Sequence, residues 1–200
     1  MRLAFLATHE KYFSMASQMI DSARSVMPGI KIVHLANHDC PKHPQADEIR
    51  RTPEGMEFGM MRMWHFSRLD GEWISADVDL KFLTDVWHVF DDEFDMAAAT
   101  RAGTKWEKSM YAEVMPFNNG VLWSRSKDFW RDQLKMYPSL PESWRKWGEQ
   151  MLFNNLFQSG RYRTKVLPCT YNYPPADGPE DLSQVHVLHF KGRRKVMMEA

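Results

Sequence analysis

Residues 71–90 read GEWISADVDLKFLTDVWHVF. Trp73, Ile74 and Ala76 form a short apolar run, and two carboxylates, Asp77 and Asp79, follow it with one residue between them. Leu80, Phe82, Leu83, Val86 and Phe90 then resume an apolar pattern. An unpaired buried carboxylate is costly, so two of them closing a buried strand need a cation or a ligand to face. In open α/β sheets ligands sit beyond the carboxyl ends of the strands. An Asp-x-Asp pair in that place offers hard oxygen ligands, suited to Mg2+ or Mn2+ already on phosphates. The triplet is common by chance, and a solvated strand-end turn is the plain alternative.

The flanking segments set the fold class. Residues 3–7 are a compact apolar run that reads as a buried parallel strand, with Thr8-His9-Glu10-Lys11-Tyr12 as the loop after it. Residues 13–26 carry apolar side chains at Phe13, Ala16, Met19, Ile20, Ala23 and Val26, the spacing of one helix face, and Pro28-Gly29 ends it. Residues 30–36, IKIVHLA, predict a second strand, which gives the strand–helix–strand opening of an α/β protein. Further strands are expected at 49–52, 95–100, 117–124, 166–167 and 185–190, and helices at 55–69, near 85–90, at 128–136 and at 144–158. His38, Asp39, Cys40 and His43 are metal-capable, but Pro41, Lys42 and Pro44 interleave them; a loop is expected, with a zinc site as the rival. No internal repeat or second-domain boundary is visible.

The chain of 200 residues suffices for one substantial core, and 44% hydrophobic residues exclude a disordered chain. Lys and Arg number 26 and so do Asp and Glu, which argues against broad nucleic-acid or membrane binding. Cys40 and Cys169 are the only cysteines, too few for a disulfide framework, and a reducing compartment fits them best. The opening apolar run is too short for a secretory leader, and no stretch approaches a membrane span. A soluble, cytoplasmic protein is expected.

The order of the pieces then carries a resemblance. It runs THEKY after the first strand, Arg62 on a helix, the DVD triplet, FNNG over 117–120, EQMLFN over 149–154, and HFKGRRK over 189–195. This order resembles the family 8 glycosyltransferases, the glycogenin and bacterial lipopolysaccharide galactosyltransferase group, over nearly the whole chain. Its most specific element is His189-x-x-Gly192-x-x-Lys195. The resemblance implies an A-type glycosyltransferase, Rossmann-like fold with a mostly parallel central sheet. It implies one domain over 1–200, with 1–100 mainly the nucleotide-binding half. Residues 101–200 would be mainly the donor-sugar and acceptor half, with the metal- and phosphate-binding segment at the end.

The same resemblance implies the site. Asp77, Asp79 and His189 would hold Mn2+, with Mg2+ as a substitute. Thr8, His9, Tyr12, Arg62, Ala76, Asp77, Val78, Gly192 and Lys195 would bind the donor nucleotide, with Tyr12 stacked on uracil. Asn118 and Asn119 would bind the donor sugar, and Glu149 and Gln150 would sit at the reacting carbon. The implied activity moves a sugar, with retention, from a UDP-sugar to a hydroxyl on a saccharide, a protein or a modified nucleic-acid base. The departures are Glu149 for an aspartate, Asn119 for a serine, Lys195-Val196-Met197 for Lys-Pro-Trp, and a shorter chain. They leave the donor site intact and the acceptor open. Residues 103–113 and 192–200 are expected to close over the donor, the basic 193–195 run staying open and solvated until a phosphate meets it. Two rivals stand beside this reading. One is a nucleotide-sugar-binding protein without turnover. The other is a haloacid-dehalogenase-type phosphatase built on Asp77 and Asp79, although that motif normally lies on the first strand.

Overall fold

The protein is described by a computed structural model that covers the chain except residues 105, 106, 108, 109, 177–179, 193, 194, 196, 197, 199 and 200, and the side chains of 110, 111 and 146. Period-two alternation in the strands builds a sheet that is apolar on both faces. Along β1 (Arg2–Leu6), Leu3 and Phe5 enter one core and Ala4 enters the other. β6 (Met96–Thr100) and β7 (Phe117–Ser124) alternate in the same way: Ala97 and Trp123 face the first core, Ala98 and Leu122 the second. Such burial contributes about 1.5–3 kcal/mol for each large apolar side chain. With β2 (Lys31–Ala36), β3 (Glu48–Arg51), β4 (Trp73–Ala76) and β8 (Thr164–Leu167), they form a seven-stranded sheet in the order β3-β2-β1-β4-β7-β6-β8. All neighbours are parallel except β7, which runs antiparallel to β4 and β6.

α1 (Phe13–Val26) covers the first face with Met15, Ala16, Met19, Ile20 and Ala23, the stripe its sequence predicts. It ends as Met27 N bonds the Ala23 carbonyl and Gly29 turns at φ +80°. α2 (Phe58–Phe66), α4 (Lys127–Met136) and α5 (Arg145–Gln158) pack on the second face, and a short α3 (Met110–Val114) precedes β7. Ser126 caps α4 by accepting from Phe129 N.

The last strand, β9 (Val187–His189), does not join the central sheet. It pairs antiparallel with β5 (Leu80–Phe82), a strand the sequence did not suggest, in a separate two-stranded sheet. The cause is local: α1 offers Ser22 Oγ to Phe82 N at 3.1 Å, and Leu80, Phe82 and Val187 are buried in the first core. The segment 38–43 is a loop, as its sequence predicts. His43 is buried and its Nε2 lies 3.1 Å from the Phe13 carbonyl, so it ties the loop to α1. No helix of the described residues is long and apolar enough to cross a membrane.

Candidate active site

A cavity of about 550 Å³ opens beyond the carboxyl ends of β1 and β4, where the antiparallel β7 begins. The location follows from the topology. β1 delivers Thr8, β4 delivers Asp77, and β7, entering from the opposite direction, delivers Asn118 and Asn119.

Asp77, Asp79 and His189 converge so that one ligand atom from each lies within 4.8 Å of the others. His189 Nδ1 lies 2.7 Å from Asn172 Oδ1, and the Asn172 amide nitrogen bonds the Asn118 carbonyl, which fixes the oxygen toward the ring. The Nδ1 proton is therefore donated to Asn172. The Nε2 faces Asp79 Oδ1 at 3.3 Å and Asp77 Oδ2 at 3.6 Å, donating to them when the ring is protonated and offering a lone pair when it is neutral. Burial, then the Lys191 charge, pushes the imidazole below its ordinary value, against the pull of Asp79 and Asp77. A neutral imidazole nitrogen and two carboxylates aimed at one point form a donor set that fits a divalent cation.

The surrounding charges are arranged about these three. Burial alone would raise the Asp79 carboxyl, but the facing His189 and the Lys195 ammonium at 2.9 Å outweigh it and hold it well below the usual range. Arg62, buried on α2, donates to Asp77 Oδ1 and to the Asn119 carbonyl, and its Nε lies 3.2 Å from Glu149 Oε1. Burial opposes its charge, yet Glu149 and Asp77 raise its pKa above the ordinary value. Burial raises Glu149 in turn, against Arg62. One guanidinium thus links α2, β4, β7 and α5. Gln150 Nε2 donates to the Phe117 carbonyl at 2.6 Å, which fixes its amide at the cavity wall.

Most residues singled out in the sequence line this cavity. Thr8, Tyr12, Arg62, Asp77, Val78 and Asp79 come from the first half of the chain. Asn118, Asn119, Glu149, Gln150, His189, Gly192 and Lys195 come from the second. Two lie outside the lining: His9 is exposed, and Ala76 is buried in β4. Lys195 differs from expectation. It needs no phosphate to be engaged, because the Asp79 carboxylate already supplies an anion, and Arg193 and Arg194 fall outside the described residues.

Three kinds of residue escaped the sequence reading. Asn172 orients His189 from a loop, and nothing in its neighbourhood signals that. Lys191 lines the cavity and donates to Asn118 Oδ1 at 3.0 Å. Its place two residues after His189, on the same side of an extended segment, was the available signal. Phe58 and Trp147 line the cavity while remaining 62% and 49% exposed.

No protein-family model and no curated protein matches the sequence. Solved structures do. The chain is similar to the galactosyltransferase LgtC, solved with donor and acceptor sugar analogs. The TM-score is 0.69 at 16% identity, over 96% of this chain and 87% of that one. It is also similar to the glycosyltransferase GlyE of Streptococcus pneumoniae, with a TM-score of 0.65 at 18% identity over 96% of this chain. The match spans 56% of GlyE. At these identities the likeness carries the fold: the mixed α/β architecture is that of these glycosyltransferases.

Proposed function

We propose that the chain is a metal-dependent glycosyltransferase, a single unit over residues 1–200, that moves a sugar from a UDP-sugar to a hydroxyl acceptor with retention. The observation that carries this is the convergence of Asp77, Asp79 and His189 Nε2 on one point, in a cleft beyond β1 and β4 of this fold. Asp77, Asp79 and His189 would hold Mn2+, or less well Mg2+, which supplies Lewis acidity at the leaving diphosphate.

The protein's own groups do the rest. Tyr12 stacks on the nucleobase beside Thr8. Gly192, at φ +61°, brings backbone N–H groups toward the phosphates, and Lys195 moves its charge from Asp79 to a phosphate oxygen. Arg62 fixes Asp77 and Glu149, and through them the height of the donor in the cleft. Asn118 and Asn119 bind sugar hydroxyls. Gln150, its amide nitrogen held by Phe117, presents a polar carbonyl to the anomeric carbon as positive charge develops there. Among the described residues no free general base stands in the cleft: Glu149 is held by Arg62 and Asn119. Front-side attack suits this arrangement, with the leaving phosphate taking the acceptor's proton. Phe58 and Trp147 offer exposed rings to an acceptor.

The test is calorimetry of UDP with Mn2+, joined to a screen of UDP-sugar hydrolysis. Wild type should bind UDP only with metal and hydrolyse at least one donor. Asp77→Ala and His189→Ala should lose metal-dependent binding while melting as folded proteins. Unchanged affinity in both variants removes the metal site, and binding without hydrolysis of any donor favours a binding protein without turnover.

A further inference from the structure

The cations of the cleft are not all paired. Arg62 meets Asp77 and Glu149, and Lys195 meets Asp79. Lys191 and Arg101 form no ion pair among the described residues. The Lys191 ammonium donates to a neutral acceptor, Asn118 Oδ1, at 3.0 Å. Arg101, half-buried just after β6, donates from Nε to the Met115 carbonyl at 2.8 Å. Arg101 N also donates to the Pro116 carbonyl at 2.8 Å, two residues before the Asn118 that Lys191 meets, so both cations stand at the start of β7. A cation withdrawn from water needs an anion to balance it. Two such cations about the start of β7, hydrogen-bonded to amide and carbonyl oxygen with Asp77 and Asp79 beyond ion-pair reach of Lys191, leave a corner open to a further anion.

The corner lies at Asn118, the sugar side of the cleft in the transferase reading on which this inference rests. The phosphate side is already served by Gly192, Lys195 and the Asp77–Asp79–His189 set. We infer that Lys191, backed by Arg101, binds a carboxylate on the donor's sugar, so that the preferred donor is a nucleoside diphosphate hexuronate rather than a neutral hexose. The ammonium would exchange the Asn118 amide oxygen for the carboxylate and free that amide for a hydroxyl.

Calorimetry with Mn2+ tests this with UDP, UDP-glucose, UDP-galactose and the two corresponding UDP-hexuronates. In wild type one hexuronate should bind at least roughly tenfold more tightly than its neutral counterpart, the scale of one charge-assisted hydrogen bond. Lys191→Met should bring that ratio close to one, and Lys191→Arg should retain part of it. Sound UDP binding with equal affinity for hexuronates and hexoses overturns the inference alone. So does a Lys191→Met variant that loses UDP and UDP-hexuronate affinity to the same extent, which makes the lysine a diphosphate ligand. Failure of wild type to bind UDP at all overturns the transferase reading and this inference together.

Discussion

At the scale of single residues, the cleft depends on groups whose partners are already in place. Arg62 shows this best. Its guanidinium has 10% of its side chain exposed and faces Asp77 and Glu149, with 28% and 16%. Removing it leaves two carboxylates partly withdrawn from water and unpaired. Arg62→Met should therefore cost up to roughly 3–5 kcal/mol in denaturant unfolding. Arg62→Lys should cost less in stability, yet a point charge cannot serve Asp77, Asn119 and Glu149 together. Wild-type stability in Arg62→Met would show that water replaces the network. Tyr12 is the contrasting case. It borders the cavity at the end of a short 3-10 turn, packs in part against the first core, and has Lys11 Nζ 5.1 Å from its ring centroid. Tyr12→Ala should weaken UDP binding by about 1–3 kcal/mol, the usual worth of a base–aromatic stack, while the protein still unfolds cooperatively. An unchanged UDP affinity would place the base elsewhere.

At the scale of elements, β7 positions the centre. Its pairing with β6 shifts register between Ala98 and Ala99, a bulge that turns the start of β7 toward the cleft. Within it, Asn118 Oδ1 accepts from Gly120 N at 3.2 Å, and the Gly120 carbonyl accepts from Asp77 N at 2.7 Å. A Cβ on Gly120 would overlap the His189 imidazole. The glycine of the FNNG run thus leaves the space in which the ring from β9 stands. Gly120→Ala should displace His189 and lower Mn2+ affinity at least roughly tenfold, since misplacing one of three ligands is felt directly. The variant should still fold, because the clash is with one side chain rather than backbone. Titration of Mn2+ against the variant, with far-ultraviolet circular dichroism as the fold control, checks it; unaltered metal affinity would mean that the ring can shift and still bind.

At the scale of the whole molecule, buried histidines tie stability to pH. His34, in β2, donates from Nε2 to the Ala7 carbonyl at 2.8 Å and accepts from His43 N at Nδ1, stacked on Phe5. Burial lowers it to about 4, with His43 and Arg51 adding to the effect against the Ala7 carbonyl, and burial lowers His65 to about 4 as well. The unfolded chain takes up these protons near 6.5 and the folded chain only near 4. Between those values the unfolded state holds more protons, so stability falls as pH falls, and above about 6.5 the effect is absent. The limiting slope is about 1.4 kcal/mol per pH unit for each histidine. Urea unfolding from pH 7.5 to 4 should show this loss, and His34→Gln should remove one histidine's share. A flat profile over that window would mean that both rings protonate in the folded state.

The sequence alone determined what local periodicity and motif order can encode. The bounds of α1, the β1–α1–β2 opening, the apolar strand before Asp77 and the FNNG strand were legible because each is written in spacing over a few residues. Most of the cleft's residues could likewise be named from the family order. The tertiary structure alone decided the pairings between segments far apart. β9 pairs with β5 outside the central sheet, Asn172 reaches His189, Arg62 gathers two carboxylates, and Lys191 meets Asn118. Such contacts depend on the orientation of elements packed across a shared core and on charges balanced over long loops. No local stretch of sequence carries that information.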